Sequence, residues 1–103
     1  MELRHIRYFL AVAEEMNFTR AAERLHIAQP PLSRQIQELE AELDAKLFIR
    51  KPHALQLTEE GVLFRQYAQQ ILELVKKSSE DIREMEHGLQ GTLYLASVEG
   101  YAP

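Results

Sequence analysis

A mainly α-helical fold with one β-hairpin is predicted for this chain of 103 residues by three observations. Apolar residues recur every three or four positions from residue 3 to residue 43, then about every second position between residues 47 and 58. A helical period returns from residue 59. These periods indicate three helices, a hairpin and one long helix. The composition, 46% apolar and 27% charged, is typical of a globular protein.

The first two helices are indicated by apolar stripes and a capping residue. The stripe of the first helix is formed by Leu3, Ile6, Phe9, Leu10, Ala13 and Met16. This helix stops at Asn17. Thr19 is the predicted N-cap of a short second helix, because its hydroxyl can accept hydrogen bonds from the backbone amides of the first turn. The inward residues of the second helix are Ala21, Ala22 and Leu25, and a tight connection over residues 26–28 follows.

The third helix begins at a pair of prolines. Pro30 and Pro31 fall in its first turn, where a missing backbone N–H costs little. Its predicted buried face is formed by Leu32, Ile36, Leu39 and Leu43. The change to a period of two then predicts two short strands, Leu47–Arg50 and Leu55–Thr58, joined by a connection of turn length from Lys51 to Ala54.

A long fourth helix follows the hairpin. Thr58 is its predicted N-cap, and two glutamates in its first turn are stabilised by the helix dipole. The helix is predicted to extend to about His87, where Gly88 and Gly91 end it. Its apolar positions follow steps of four and three, a heptad seam that predicts a dimer through this helix. The seam consists of Phe64, Ala68, Ile71, Val75, Ser78, Ile82, Met85 and Leu89, of which Ser78 is the one polar interruption. The alternative is that the stripe folds back on its own domain.

Three segments are predicted. Residues 1–58 have the layout of a winged helix-turn-helix, in which three helices precede a hairpin wing. Residues 59–87 form a linker and dimerisation helix, and residues 88–103 form a hinge and the first strand of a truncated domain. A lone strand at residues 92–98 is not stable in water, so we expect the chain to be the front end of a longer protein.

The composition excludes several classes of function. The chain has no cysteine, so disulfides, thiolate zinc sites and cysteine nucleophiles are excluded. The sequence has neither a signal-peptide layout nor an apolar run near the roughly 20 residues that span a bilayer, so we expect a cytoplasmic protein without a membrane partner. Four histidines at scattered positions and the lack of a Gly-rich phosphate loop indicate a protein that is not an enzyme and holds no metal or cofactor in this chain.

Charge is distributed unevenly along the chain. The net charge is −4, an average that argues against a nucleic-acid partner. However, residues 1–58 carry eight Lys and Arg against eight Asp and Glu. No acid occurs in residues 29–37 or in residues 46–54, and the second stretch carries Lys46, Arg50 and Lys51. Two local basic surfaces are therefore expected within a neutral domain.

The start of the third helix is suited to a DNA groove. Gln29, Ser33 and Gln37 lie four positions apart with Arg34 beside them, which presents groups that bind base edges and phosphates. The acids that follow would be repelled by phosphate and should point out of the groove; they are Glu38, Glu40, Glu42 and Asp44. The alternatives are a solvated polar face and a helix-turn-helix used for protein association. An association surface would expose apolar anchors here, so the polar, acid-free face favours DNA.

A family resemblance is carried by segments spread over most of the chain. They are Ile6, Phe9, Ala13, Phe18–Ala22, Leu25, Ala28–Ile36, Leu39–Glu40, Leu43, Leu47–Phe48, Leu57–Thr58 and Gly61. Together they resemble the amino-terminal domain of LysR-type transcriptional regulators, and the run Gln-Pro-Pro-Leu-Ser-Arg-Gln-Ile is the most discriminating. Two positions depart from many members. Ala28 replaces a capping Ser, so the cap must come from backbone or water, and His53 replaces an Arg near the wing tip.

The resemblance implies that the third helix enters the major groove, that the wing lies against the backbone or minor groove, and that linker helices pair antiparallel. The implied base contacts are Gln29, Pro30, Ser33 and Arg34. The implied phosphate and wing contacts are Arg4, Thr19, Arg20, Pro31, Gln37, Arg50, Lys51 and His53. The implied partners are double-stranded DNA and a second copy of the chain on a pseudo-palindromic operator. A full-length protein would also bind a small-molecule effector through a carboxy-terminal domain that forms tetramers.

Overall fold

The computed structural model describes residues 1–86. They form α1 (Leu3–Glu15), α2 (Phe18–Leu25), α3 (Gln29–Leu43), β1 (Phe48–Lys51), β2 (Ala54–Leu57) and α4 (Glu59–Glu86). The predicted winged helix-turn-helix with a long fourth helix is confirmed. The predicted glycine stop after His87, seam residue Leu89 and the strand at residues 92–98 lie outside the described residues. No helix within residues 1–86 is long and apolar enough to cross a membrane.

The chain divides into two compact units, Met1–Leu72 and a second unit that begins at Glu73. The first contains the three helices, the hairpin and the beginning of α4. Its largest fully buried side chains are Phe9, Val12, Leu32, Ile36, Leu39 and Leu47. The described part of the second unit is the remainder of α4, where Lys77 and Asp81 form an ion pair of 3.4 Å.

A row of four aromatic rings runs through the core of the first unit. The ring of Phe9 on α1 packs edge-on against Phe64 of α4, with centroids 4.9 Å apart, and against Phe48 of β1 at 5.3 Å. Phe18, at the start of α2, packs against Phe48 at 5.8 Å. These tilted and edge-on geometries are favourable for aromatic pairs. The row therefore joins the hairpin to three helices.

The cap of α2 differs from the prediction. Helix α1 ends at Glu15, and Asn17 rather than Thr19 caps α2. The side-chain oxygen of Asn17 accepts a hydrogen bond of 2.8 Å from the backbone N–H of Arg20. The prediction for Thr19 is wrong because Asn17 is an equally good cap and lies one helical position before Phe18. Thr19 is exposed and lies within the first turn.

The hairpin differs by one residue from the prediction at all four of its strand ends. Its antiparallel register pairs Phe48 with Leu57 and Lys51 with Ala54, which leaves a two-residue turn where four residues were predicted to connect the strands. Pro52 and His53 form this turn, and His53 has a φ of 65°. A proline followed by a residue with positive φ is typical of a type II turn.

The seam of α4 has two different environments. Phe64, Ala68 and Ile71 pack on the core of the first unit, and Ala68 is 0% exposed. The assignment of Ala68 to a dimer interface is therefore wrong, and for this part of the helix the fold-back alternative holds. Further along α4, the seam residue Ile82 is 56% exposed, and Leu74, which lies outside the seam, is 65% exposed.

The start of α4 fits closely against the start of β1. Thr58 caps α4 as predicted: its Oγ1 accepts a hydrogen bond of 2.9 Å from Gly61 N and donates one of 2.5 Å to the Lys46 carbonyl. The backbone N–H of Thr58 donates to the Leu47 carbonyl at 3.0 Å. A Cβ at Gly61 would lie 2.2 Å from that same oxygen, so only glycine fits there.

Candidate nucleic-acid interface

Five of the predicted DNA contacts line one open surface cleft in the first unit. They are Thr19, Gln29, Arg50, Lys51 and His53. The cleft lies where the start of α2, the start of α3 and the hairpin meet, and residues 16–18, Ala54 and Leu55 form the rest of its wall. The fold therefore brings together contacts that come from three separate segments of the sequence.

The first two turns of α3 lie beside this cleft and carry no acid. The exposed predicted contacts on this helix are Pro30, Pro31, Arg34 and Gln37. Gln29 and Ser33 are half-buried. Ala28 makes no side-chain capping hydrogen bond, as expected from its methyl group, and no acid lies in the first turn. This surface can donate hydrogen bonds to bases and phosphates without repelling them.

Arg50 links the hairpin to both helices of the helix-turn-helix. Its Nη1 donates a hydrogen bond of 2.7 Å to Ser33 Oγ on α3. Its guanidinium carbon lies 4.0 Å from the centroid of the Phe18 ring, at the start of α2. A guanidinium over an aromatic face is held by a cation–π attraction. Two predicted contacts, Arg50 and Ser33, are thus bonded to each other.

The remaining predicted contacts lie on the first turns of α1 and α2. Arg4 is exposed on α1, does not line the cleft, and pairs with Glu2 at 2.7 Å. Such an exposed pair contributes little to stability, so Arg4 remains available to a phosphate. Arg20 is exposed on the first turn of α2, adjacent to Thr19.

Two shifted pKa values occur in ion pairs outside the cleft. A hydrogen bond with Glu14 raises the pKa of Arg24. A hydrogen bond with the amino terminus of Met1 lowers the pKa of Glu42, near the end of α3. In each pair a basic group and a carboxylate neutralise each other, and none of these groups is a predicted DNA contact.

The basic side chains among the predicted DNA contacts on α3 and the wing differ from Arg24 because they have no acidic partner within residues 1–86. Within residues 1–86, Arg34, Arg50 and Lys51 form no ion pair with an acidic side chain. Their positive charge is not neutralised by the protein. A chain with a net charge of −4 therefore keeps a positive surface at the start of α3 and on the wing.

Glu40 is a residue of this site that sequence reasoning missed. The sequence predicts only that it points out of the groove, whereas it is 8% exposed and its Oε2 accepts hydrogen bonds from Leu47 N at 2.7 Å and Phe48 N at 3.4 Å. The carboxylate thereby fixes the entry to the wing against α3. Its position four residues after Ile36, on the apolar face of the helix, is the signal that could have found it.

Phe18 is the second residue that sequence reasoning did not place at the site. In the sequence it stands out only as part of the family pattern, whereas its ring forms the surface on which the Arg50 guanidinium lies. An aromatic residue at the start of a helix gives no such indication by itself, because the cation comes from a distant segment.

Comparison with known families agrees with this geometry. The family model described as bacterial regulatory helix-turn-helix protein, lysR family, matches residues 3–62, more than half of the chain. The chain belongs to the LysR family. Its kinship with transcriptional regulators confirms the prediction that it is not an enzyme.

Individual relatives of this LysR-family chain are regulators. It is 47% identical over 95 residues to the HTH-type transcriptional regulator TfdT of Cupriavidus pinatubonensis, covering 92% of this chain and 42% of TfdT. It is 58% identical over 72 residues to the regulator BenM of Acinetobacter baylyi, covering 70% of this chain and 24% of BenM. The chain thus spans less than half the length of these relatives.

A solved structure of the same family has the same fold. The crystal structure of the BenM DNA-binding domain in complex with catB site 1 DNA matches with a TM-score of 0.82 and 50% sequence identity. The match covers 85% of this chain and 99% of that one. The fold of this LysR-family chain is therefore that of a DNA-binding domain.

Proposed function

We propose that this chain binds DNA sequence-specifically as the amino-terminal domain of a transcription regulator, with α3 in the major groove and the wing on the backbone or minor groove. The observation that carries the proposal is the acid-free start of α3 beside the wing, with the charges of Arg34, Arg50 and Lys51 unpaired within residues 1–86. The DNA complex of the BenM domain supports it.

The proposal divides the contacts into two classes. Bases are read by Gln29, Pro30, Ser33 and Arg34. Phosphates and the groove edge are held by Arg4, Thr19, Arg20, Pro31, Gln37, Arg50, Lys51 and His53. The first class sets sequence preference and the second sets orientation and the dependence of affinity on salt.

The proposed active form is a homodimer paired through α4. Exposed Leu74 and Ile82 support it, since apolar side chains of this size are costly in water unless covered. Two-fold pairing presents two copies of α3 to a pseudo-palindromic operator. In the full-length regulator, a carboxy-terminal domain binds a small-molecule effector and forms tetramers. The chain itself uses no cofactor, and the proposed location of the regulator is the cytoplasm.

A salt titration of DNA binding tests this proposal. The affinity of the chain for a palindromic site selected from a random pool is compared with its affinity for random duplex, while sedimentation reports the mass of protein and complex. We expect a dimer, a steep loss of affinity with salt, and at least about a thousandfold preference for the selected site. A dimer with neither preference nor salt dependence would instead indicate a helix-turn-helix that associates with proteins.

A further inference from the structure

We infer that Arg50 sets the base preference of Ser33 by leaving the serine hydroxyl to act as a hydrogen-bond donor toward DNA. The inference rests on the proposed function, because it requires Ser33 to face a base. It gives Arg50, placed on the wing as a phosphate contact, a second role as a positioning residue for the recognition helix.

The guanidinium of Arg50 is held from two sides. Its Nη1 reaches Ser33 Oγ at 2.7 Å, and its Cζ lies 4.0 Å from the centroid of the Phe18 ring. Phe18 is itself packed against Phe48, the residue that begins β1. Arg50 therefore has a defined position relative to α3, which a freely solvated wing charge does not have.

The hydrogen bond from Arg50 determines which hydrogen-bonding groups of the Ser33 hydroxyl remain available to DNA. A serine hydroxyl has one hydrogen to donate and two lone pairs, and a guanidinium has donors only. Arg50 occupies one lone pair, so the hydroxyl hydrogen cannot turn toward it. Within residues 1–86 no acceptor takes that hydrogen, in contrast to Ser78, whose hydroxyl donates to the Val75 carbonyl at 2.7 Å. The hydrogen of Ser33 is free for DNA.

The base that Ser33 prefers follows from this arrangement. In the major groove, guanine offers N7 and O6, adenine N7 and thymine O4 as acceptors, whereas cytosine offers only the donor N4 amino group. The positive guanidinium beside Oγ also repels the amino hydrogens of cytosine. Cytosine, which can only donate to the lone pair that remains beside the positive guanidinium, is therefore the base disfavoured at the position that Ser33 faces.

Selection from a randomised duplex library, with the 103-residue chain and its variants, tests the inference. Ser33→Ala identifies the base position that Ser33 reads. Arg50→Met removes the donor and charge at similar length, and we expect it to raise the relative occupancy of cytosine at that position about threefold to tenfold. Arg50→Lys keeps the charge but not the planar fork, and we expect a smaller relaxation with less loss of general affinity. Arg50→Met in the Ser33→Ala background should add no further relaxation.

Lys51→Met is the matched control, because it removes a neighbouring wing charge that does not contact Ser33. We expect it to weaken all sequences equally. If Arg50→Met and Arg50→Lys also leave the base preference unchanged, Arg50 is a phosphate contact alone and the inference is overturned. If the unaltered chain has no sequence preference, the proposed function itself fails, which is a separate result.

Discussion

The carboxylate of Glu40 on α3 accepts a hydrogen bond of 2.7 Å from the backbone N–H of Leu47, just before the first strand of the wing. The same oxygen lies 3.4 Å from Phe48 N. Because a buried carboxylate without partners is costly, this arrangement stabilises only the conformation in which the wing begins at this place on α3. The recognition helix therefore positions the wing through a side chain of its own.

Glu40→Gln should lower the free energy of unfolding by about 1–3 kcal/mol, because a charged acceptor of a buried backbone N–H is lost. Urea unfolding followed by circular dichroism measures this. Glu23→Gln, an exposed residue on α2, is the control and should change the midpoint little. Equal midpoints for both variants would mean that the Glu40 carboxylate does not hold the wing.

Arg34→Ala should cost about 1–3 kcal/mol of binding to the selected site and relax its sequence preference, because the exposed guanidinium is assigned to base edges. Titration of labelled duplexes measures both effects. Arg24→Ala is a matched control, since Arg24 is paired with Glu14 at 2.7 Å and does not line the cleft. Unchanged affinity and preference in Arg34→Ala would contradict the assigned docking of α3.

Lys51→Ala should weaken binding to all duplexes alike and reduce the slope of log affinity against log salt by about one, because one phosphate contact is removed. The slope is obtained from titrations at several salt concentrations. Lys77→Ala, on α4 and paired with Asp81, should keep the slope of the unaltered chain. A slope that does not change in Lys51→Ala would remove Lys51 from the phosphate contacts.

His53→Gly should raise the free energy of unfolding by up to about 1 kcal/mol, because glycine adopts the positive φ of 65° at this turn without steric cost. Thermal unfolding measures the gain. Ala54→Gly, at the first residue of β2, is the control and should be destabilising. A lower unfolding temperature for His53→Gly would show that the imidazole makes a contact whose stabilisation exceeds the steric cost of the positive φ at His53.

Ile82→Asp should weaken the dimer at least tenfold, because an exposed seam isoleucine that a partner covers contributes about 1.5–3 kcal/mol. Sedimentation equilibrium measures the dissociation constant. Lys76→Gln, exposed on the same helix, serves as the control and should leave it nearly unchanged. If Ile82→Asp dimerises as well as the unaltered chain, the interface lies elsewhere.

The elements of the fold were predictable because hydrophobic period and helix boundaries are local properties. The order of six elements, the prolines at the start of α3 and the Thr58 cap follow from residues close together in sequence. The competition between Asn17 and Thr19 for one cap was not resolved by local pattern, since both side chains can accept the same bonds. The strand ends of the hairpin were also not resolved by local pattern. Alternating apolar residues indicate strands, but the turn fixes where each strand ends and which residues pair.

The site was predictable as a set of residues but not as a set of contacts. Polar, acid-free positions on α3 predict a surface for DNA, yet the hydrogen bond between Arg50 and Ser33 joins residues 17 positions apart. The inward direction of Glu40 and the core packing of Ala68 likewise depend on which element faces them. Such long-range pairings are decided by tertiary packing, which periodicity does not report.

The glycine at position 61 has a mechanical consequence. Its missing side chain lets the first turn of α4 rest directly on the carbonyl of Leu47, and Thr58 fastens the same turn to the residues that enter the wing. The first turn of α4 and the residues that enter the wing are therefore in direct contact. A displacement of the first turn of α4 would therefore move the residues that enter the wing and, through the hydrogen bond of Glu40 with Leu47, would also be felt by α3.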